Sequence, residues 1–437
     1  MMETAAMNTT KVKMQRYPVY KDSGEEWFEN IPEQWGVKPG FTIVSERNEK
    51  NIGLKENQVL SLSYGSIVIK PEEKLTGLVP ASFETYQIVY PGDIIIRTMD
   101  LQNDKTSLRV GFANDKGIIS SAYLNLNVRK DYDAKYYYYF LHNIDITKII
   151  YGLGSGLRQN LSYLDFKRFY FLVPSPDEQT LIADFLDRKT AQIDQAIAQK
   201  ERQIELLKER RQIIIHNAVT RGLNPNVKMK DSGVEWIGEI PEHWEVKRIK
   251  TLSRVKRGAS PRPIDDPRYF NEDGEFAWVR IADVSANDHY LTNTVQQLSK
   301  LGSSLSVKIF PNELFVSIAG TVGKPMISKI KCCIHDGFVY FPDLKINIEY
   351  LYRIFETGQP YLGLGKHGTQ LNLNTETIGS IYMPTPPDDE QSSIVNHVEN
   401  TCQKLNKTIS LKQQEIEKLK EYKATLINAA VTGKIKV

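Results

Sequence analysis

Cysteine is scarce in this chain: Cys332, Cys333 and Cys402 are its only three in 437 residues. They form neither a metal-ligand spacing nor an even disulfide set, which fits a reducing compartment. The seven His are scattered without ligand spacing, so packing or surface roles are expected of them rather than a metal site. No apolar run approaches the roughly 18 residues of a membrane span. Residues 1–16 lack an apolar signal core and read as a flexible tail. A cytoplasmic protein without metal or cofactor is the expectation. Net charge is nearly absent as well, +3 from 56 Lys and Arg against 53 Asp and Glu. Any nucleic-acid role must therefore come from local patches and not from a basic whole. The length is enough for two domains, each with its own core, and the composition is ordinary for a globular protein.

What is present is a duplication. Lys21-Asp22-Ser23-Gly24-x-Glu26-Trp27, then Ile31-Pro32-Glu33-x-Trp35-x-Val37-Lys38, returns as Lys230-Asp231-Ser232-Gly233-x-Glu235-Trp236, then Ile240-Pro241-Glu242-x-Trp244-x-Val246-Lys247. Every matched position lies 209 residues further on. A period near half the chain is too long for a solenoid unit. It implies two copies of a whole domain, pseudo-two-fold symmetry, and a target that is two-fold or double.

The ends of the halves match too. Pro174-Ser175-Pro176-Asp177-Glu178-Gln179 answers to Pro384-Thr385-Pro386-Pro387-Asp388-Asp389-Glu390-Gln391, and from there the offset is 212 through Ala218-Val219-Thr220 and Ala430-Val431-Thr432. Both segments predict long helices. Ser175-Pro176-Asp177-Glu178 reads as a capping box with Pro at the first helical position, and Thr385 followed by Pro386 and Asp388 is expected to open the second helix in the same way. Apolar residues recur at helical spacing: Ile182, Leu186, Ile193, Ile197, Ile204, Leu207, Ile214 and Ala218 in one, Ile394, Val398, Leu405, Ile409, Ile416, Leu419, Leu426 and Ala430 in the other. Gly222 and Pro225 stop the first helix and Gly433 the second. Each helix would run about 60 Å at 1.5 Å per residue. Such a helix buries one stripe and needs a partner. Pseudo-symmetry predicts that the partner is its copy, antiparallel, with Ile193, Ile197, Ile204 and Leu207 meeting Leu405, Ile409, Ile416 and Leu419 at the seam.

Between these matched ends the halves diverge over a common skeleton. Tyr90-Pro91-Gly92-Asp93-Ile94-Ile95-Ile96 parallels Phe310-Pro311-Asn312-Glu313-Leu314-Phe315-Val316, each a turn followed by a buried strand. Tyr136-x-Tyr138 and Tyr350-x-Tyr352 open helical runs, and Gly-rich loops lie at 152–161 and 363–373. A shared fold with different surfaces describes two related readers of different targets.

No catalytic constellation emerges. Asp177 with Asp187 and Lys189 imitates a nuclease pattern, but it lies on a capped helix whose copy has Glu399-Asn400-Thr401. Tyr361-x-Gly363-x-Gly365 imitates a methyl-donor loop but follows a helix, not a strand. Gly320-Thr321-Val322-Gly323-Lys324 is one residue short of a phosphate loop, with Pro325 where Ser or Thr should hold a metal.

In the order and duplication of these marks the chain resembles, along almost its whole length, the specificity subunits of type I restriction–modification systems. The marks are the Lys-Asp-Ser-Gly…Trp…Ile-Pro…Trp openings, the Gly-rich loops with Gln/Asn-Leu, the Glu-Gln helix starts, and the helix endings Asn217-Ala218-Val219-Thr220-Arg221-Gly222 and Ala429-Ala430-Val431-Thr432-Gly433. One departure is Arg158-Gln159 in the first Gly-rich loop against Gln370-Leu371 in the second. The resemblance implies an α+β chain of two similar mixed α/β target-recognition domains, 17–174 and 224–383. A long antiparallel two-helix coiled coil, 175–223 and 384–437, would separate them. It also implies a non-catalytic reader of double-stranded DNA that recruits two methylation subunits and two restriction subunits. The rival readings are a free-standing bipartite DNA-binding regulator and a protein scaffold.

DNA recognition needs cations for phosphates and amide or guanidinium forks for base edges. The second half offers a basic stretch, Lys247, Arg248, Lys250, Arg254, Lys256, Arg257, Arg262 and Arg268, opposed locally by Asp265 and Asp266. The first half offers Arg97, Gln102, Asn103, Lys105 and Arg109 after a strand, with Ser61-Leu62-Ser63-Tyr64-Gly65 as a second loop. Arg158, Gln159, Lys324 and Gln370 complete the expected DNA-contacting set.

Overall fold

The computed structural model describes residues 15–437 except 72, 74–81, 102–103, 105, 154–159, 363 and 365–372. The chain divides into two compact units, Met1–Glu201 with Gln413–Val437, and Arg202–Lys412. Both boundaries pass through the two long helices, Pro176–Arg221 and Asp388–Val431. Each unit is therefore larger than the segments 17–174 and 224–383 read from sequence, because each includes part of both helices.

The repeated motifs have concrete local causes. Asp22 Oδ1 accepts a hydrogen bond from the Gly24 amide (3.0 Å) and Asp231 Oδ1 one from the Gly233 amide (2.9 Å). Gly24 and Gly233 sit at φ 77° and 72°, a turn that favours glycine. Each turn lies inside a small antiparallel pair, Tyr20–Asp22 with Asn30–Pro32 and Met229–Asp231 with Glu239–Pro241. The next strand, Gly36–Pro39 or Glu245–Arg248, pairs with the strand that leaves the same globular region, Tyr170–Val173 or Tyr382–Thr385. That pairing delivers the chain directly into the long helix.

The Glu-Gln pair at each helix start ties these parts together. Trp35 Nε1 donates to Glu178 and Trp244 Nε1 to Glu390, both at 3.0 Å. Gln179 accepts from the Asp133 amide and donates to Pro174 O; Gln391 does the same with the Asn347 amide and Pro386 O. Ser175 caps the first helix through the Glu178 amide, but the Glu178 carboxylate turns to Trp35 and Tyr17 rather than closing the box. The second helix starts later than expected. Thr385 belongs to the preceding strand, and Pro387 stands where Ser175 stands in the first copy.

The helix ends also serve the tryptophans. Gly222 follows the first helix at φ 72°, where a Cβ would lie 3.1 Å from the Trp244 ring. Gly433 follows the second at φ 71°, and a Cβ there would lie 2.3 Å from Pro32 Cδ and 3.3 Å from the Trp35 ring. In the second unit this contact is nearly local in sequence. In the first it is made by the far end of the chain, helped by Tyr20 Oη donating to Gly433 O and by pairing of Gln15 with Lys436.

The first unit centres on an antiparallel sheet in the order Val44–Glu46, Tyr123–Val128, Ile94–Arg97, Val110–Phe112. Ile94, Ile95 and Ile96 are all buried, so both faces are covered. The helix Ala134–Ile146, capped by Asp133, packs Tyr136, Tyr137 and Phe140 into the same core as Phe171. The second unit has two main sheets, one of five strands built around Leu314–Ser317 and one of four around Phe276–Val279 and Cys332–Ile334, each with a single parallel pair. Phe315, Met326, Cys332 and Phe338 share one buried cluster. Burial pushes the Cys332 and Cys333 thiols up to about 12, which suits packing groups rather than nucleophiles.

The long helices run antiparallel within each unit. In the first, Asp194 pairs with Lys423 and Lys200 with Glu415; in the second, Lys412 donates to Gln203. Ile193, Ile204 and Ile416 are buried, and Ile197 and Leu419 pack against the first core. Leu207, Leu405 and Ile409 are half-buried. Among the described residues no helix is long and apolar enough to cross a membrane.

Candidate nucleic-acid interface

In the first unit, three stretches that sequence reading treated separately come together. Arg97, at the end of the strand Ile94–Arg97, pairs with Asp104 at 3.1 Å. Asp104 also accepts from the Ser107 and Thr106 amides, and the Ser107 bond leads in holding its carboxyl well below the usual range. Arg109 is fully buried and directs all five N–H donors at protein: Nε to Tyr151 Oη, Nη1 to Arg97 O and Met99 O, Nη2 to Asp100 O and Asp104 O. The expectation of a DNA-contacting Arg109 is corrected by this geometry. It clamps the loop from inside and has no donor left to offer. The tip of the hairpin Leu60–Ser63/Ser66–Ile69 lies against this loop, since a Cβ on Gly65 would meet Leu108 at 2.9 Å. Tyr64 at that tip is 91 % exposed. Leu161 N bonds to Thr98 O, so the end of the Gly-rich segment joins the same surface. Gln102, Asn103, Lys105, Arg158, Gln159 and, in the second unit, Gln370 lie outside the described residues.

The basic stretch of the second unit is more dispersed than its sequence implies. Lys247 pairs with Glu245, Arg248 stacks over Tyr382, Arg254 pairs with Asp343 and Arg268 with Asp266. Lys256 is exposed at the edge of a sheet. Arg257 and Arg262 converge on one residue from the far side of the sequence. Arg257 Nε donates to Asp336 O (2.5 Å), Arg262 Nη2 to Asp336 Oδ2 (3.3 Å) and Ser260 Oγ to Asp336 Oδ1 (3.2 Å). Gly258 permits this convergence, because a Cβ there would lie 2.2 Å from His335 O. Lys324 is elsewhere, donating to Asn287 O beside Arg353 and Tyr361.

Next to Arg262 opens a cavity of about 840 Å³, lined by Trp278, Arg280, Gln296 and His335 among others. Trp278 is buried at its floor, cross-strand from Gln296. His335 packs on Phe338 at 4.6 Å and Trp278 at 5.9 Å. Its Nδ1 accepts from the Gly337 amide, and burial lowers its pKa, so the neutral ring carries its proton on Nε2. Arg280 forks onto Asp283. Sequence reading missed Trp278, Arg280, Gln296, His335 and Asp336. The one available signal was that Arg280 follows a buried strand, as Arg97 does. The cavity sets the guanidinium of Arg280 and the amide of Gln296 beside the rings of Trp278 and Phe270, groups that can take base edges and ring faces.

The family described as Type I restriction modification DNA specificity domain matches residues 52–206 and 241–421. The type I restriction enzyme MjaVIII specificity subunit of Methanocaldococcus jannaschii is 24% identical over 345 residues, covering 75% of this chain and 76% of that protein. The EcoBI specificity subunit of Escherichia coli is 24% identical over 331 residues, covering 71% and 67%. Among solved structures, a chain from the structural basis of complex assembly and conformational transition of the type I R-M system superposes with TM-score 0.70 at 13% identity, covering 92% of this chain and 98% of that one. The HsdS subunit of Thermoanaerobacter tengcongensis gives 0.51 at 13%, covering 93% and 98%. Two specificity-domain matches span most of a chain whose duplicated frame and antiparallel helices are those of such subunits, and the chain belongs to the family of type I restriction–modification specificity subunits.

Proposed function

We propose that each unit reads one half of an asymmetric, gapped site in double-stranded DNA, and that the helix pair sets the unread gap. The observation that supports this most is the contrast within the duplication. The Trp–Glu and Gln–backbone bonds recur in both units, while the strand that ends in Arg97, paired with Asp104, ends in the second unit in Ser317, bonded to Ala319 O. Two identical readers would call for a symmetric site; two different readers on one frame call for two different half-sites. On this reading the chain contributes no catalysis. Two methylation subunits and two restriction subunits assemble on it in the cytoplasm, forming an adenine methyltransferase and endonuclease. Lys and Arg contacts to phosphates make its DNA affinity fall steeply with salt.

The test is co-expression with the genomic neighbours and mapping of methylated adenines by long-read sequencing. A bipartite gapped motif that disappears without this chain is the expected result. An unchanged methylome with intact expression points instead to a free-standing regulator or a scaffold. Removing whole turns from both helices is expected to shorten the gap and leave both half-sites alone; an unchanged gap would rule out the spacer role.

A further inference from the structure

We infer that Arg280 reads a guanine in the half-site of the second unit, an inference that rests on the DNA-reading function above. Arg280 follows the buried strand Phe276–Val279, and its guanidinium is held rather than free. Nε and Nη2 both donate to the Asp283 carboxylate, at 3.2 and 3.3 Å, and the same carboxylate accepts from the Arg280 amide at 2.9 Å. Asp283 is buried, so the pair is fixed to the protein body and keeps its geometry. With the Nε edge occupied, the fork formed by Nη1 and the outer N–H of Nη2 is the one left to present.

The arginines of the basic stretch lack that combination. Arg268 has a similar fork on Asp266, but it is 76% exposed and lies outside the cavity lining. Arg254 and its partner Asp343 are both exposed, and Arg257 and Arg262 converge on Asp336. Arg280 alone among them lines the 840 Å³ cavity with a buried carboxylate behind it, beside Gln296, His335 and Trp278. Guanine is the base whose major-groove edge offers two adjacent acceptors, O6 and N7, to such a fork. Adenine would set its N6 donor against it. A guanidinium prevented from swinging away cannot turn aside from the adenine N6 donor, so it discriminates between these edges better than a mobile one.

The experiment is the methylation mapping described above, repeated with Arg280→Ala and Arg280→Lys in the full complex. The wild-type motif is expected to contain a guanine that becomes degenerate in Arg280→Ala, with discrimination there falling roughly 5- to 150-fold and the other half-site unchanged. Arg280→Lys keeps the charge but not the fork, so it should relax the same position while methylation continues. If Arg280→Ala abolishes methylation everywhere, Arg280→Lys decides: a relaxed guanine supports the assignment and an intact motif overturns it. An intact motif in both variants, or uniformly weaker methylation without loss of specificity, would show a phosphate or structural arginine and overturn the assignment alone. Absence of any gapped motif with the wild-type chain would remove the parent reading, and this one with it.

Discussion

At the same four places in the repeat the two units solve one packing problem with different electrostatics. In the second unit, Arg353 is buried and reaches Glu356 at 2.8 Å and Glu399 at 2.5 Å, while Arg211 joins the same Glu356. In the first, the repeat puts Tyr139, His142, Asp187 and Lys423 where these stand. Tyr139 Oη donates to Asp187 at 2.6 Å, and His142 stacks on Tyr138 at 5.5 Å. Burial, then the charge of Lys423, lowers the His142 pKa to about 4, so that ring is neutral. One unit joins its globular region to the helices through buried arginines and their carboxylates, the other through the Tyr139 hydroxyl and a Lys135–Asp187 ion pair beside a neutral imidazole. The difference teaches that the frame does not reside in these charges. It resides in the Trp–Glu and Gln–backbone bonds that both units keep.

The largest expected effect breaks the charged side of that comparison. Glu356→Ala leaves Arg211 and Arg353 short of a shared carboxylate, and removing one member of a buried ion network costs ~3–5 kcal/mol. Faster amide exchange in the helix Ile348–Glu356 would register it, and unchanged protection would show that the network contributes nothing.

Next comes pH, which should separate the units. An unfolded His takes up a proton near 6.5, whereas folded His142 resists until about 4. Between those values the unfolded chain binds more protons, so the contribution is complete above about 6.5 and is lost as pH falls toward 4, up to about 3 kcal/mol. Exchange in the helix Ala134–Ile146 should follow this profile, and His142→Phe should flatten it. In the second unit the corresponding helix, Ile348–Glu356, has Glu356 at that position and should not show this step, while His216 and His335 elsewhere in that unit, whose pKa values burial also lowers, add their own.

Trp35→Phe and Trp244→Phe sharpen the comparison from the other side. Each leaves a Glu178 or Glu390 acceptor without its indole donor, and about 1–2 kcal/mol is expected in both units. A large inequality in their denaturant midpoints would mean that the two frames are not equivalent. The smallest effect is at the helix ends. Gly222→Ala and Gly433→Ala both strain a positive φ by about 1 kcal/mol. Gly433→Ala should cost more, because its Cβ would collide with Pro32 while that of Gly222 only touches a ring edge. Equal melting temperatures would count against that close approach.

The legible part of this protein was the part that repeats or is local. The Asp-Ser-Gly turns, the helix stripes and the Gly stops are set by neighbours within a few residues, so spacing alone reports them. The antiparallel pairing followed from duplication, since one helix stripe had only its own copy as an obvious partner. The site was less legible. Arg109 sits among residue types that read bases, and only its burial and five protein acceptors show a clamp. The Thr385 cap failed because strand pairing with Glu245 claimed that residue first.

By itself, then, the sequence determined that there are two copies of one frame, that each runs into a long amphipathic helix, and that the loops between them differ. Only the tertiary structure decided which charges face which. Arg262 and Asp336 are 74 residues apart, and Arg254 and Asp343 are 89 apart. Local pattern extends over a turn of helix or a pair of strand positions. The partner of an arginine is chosen by sheet register and by how closely a glycine such as Gly258 lets two backbones approach.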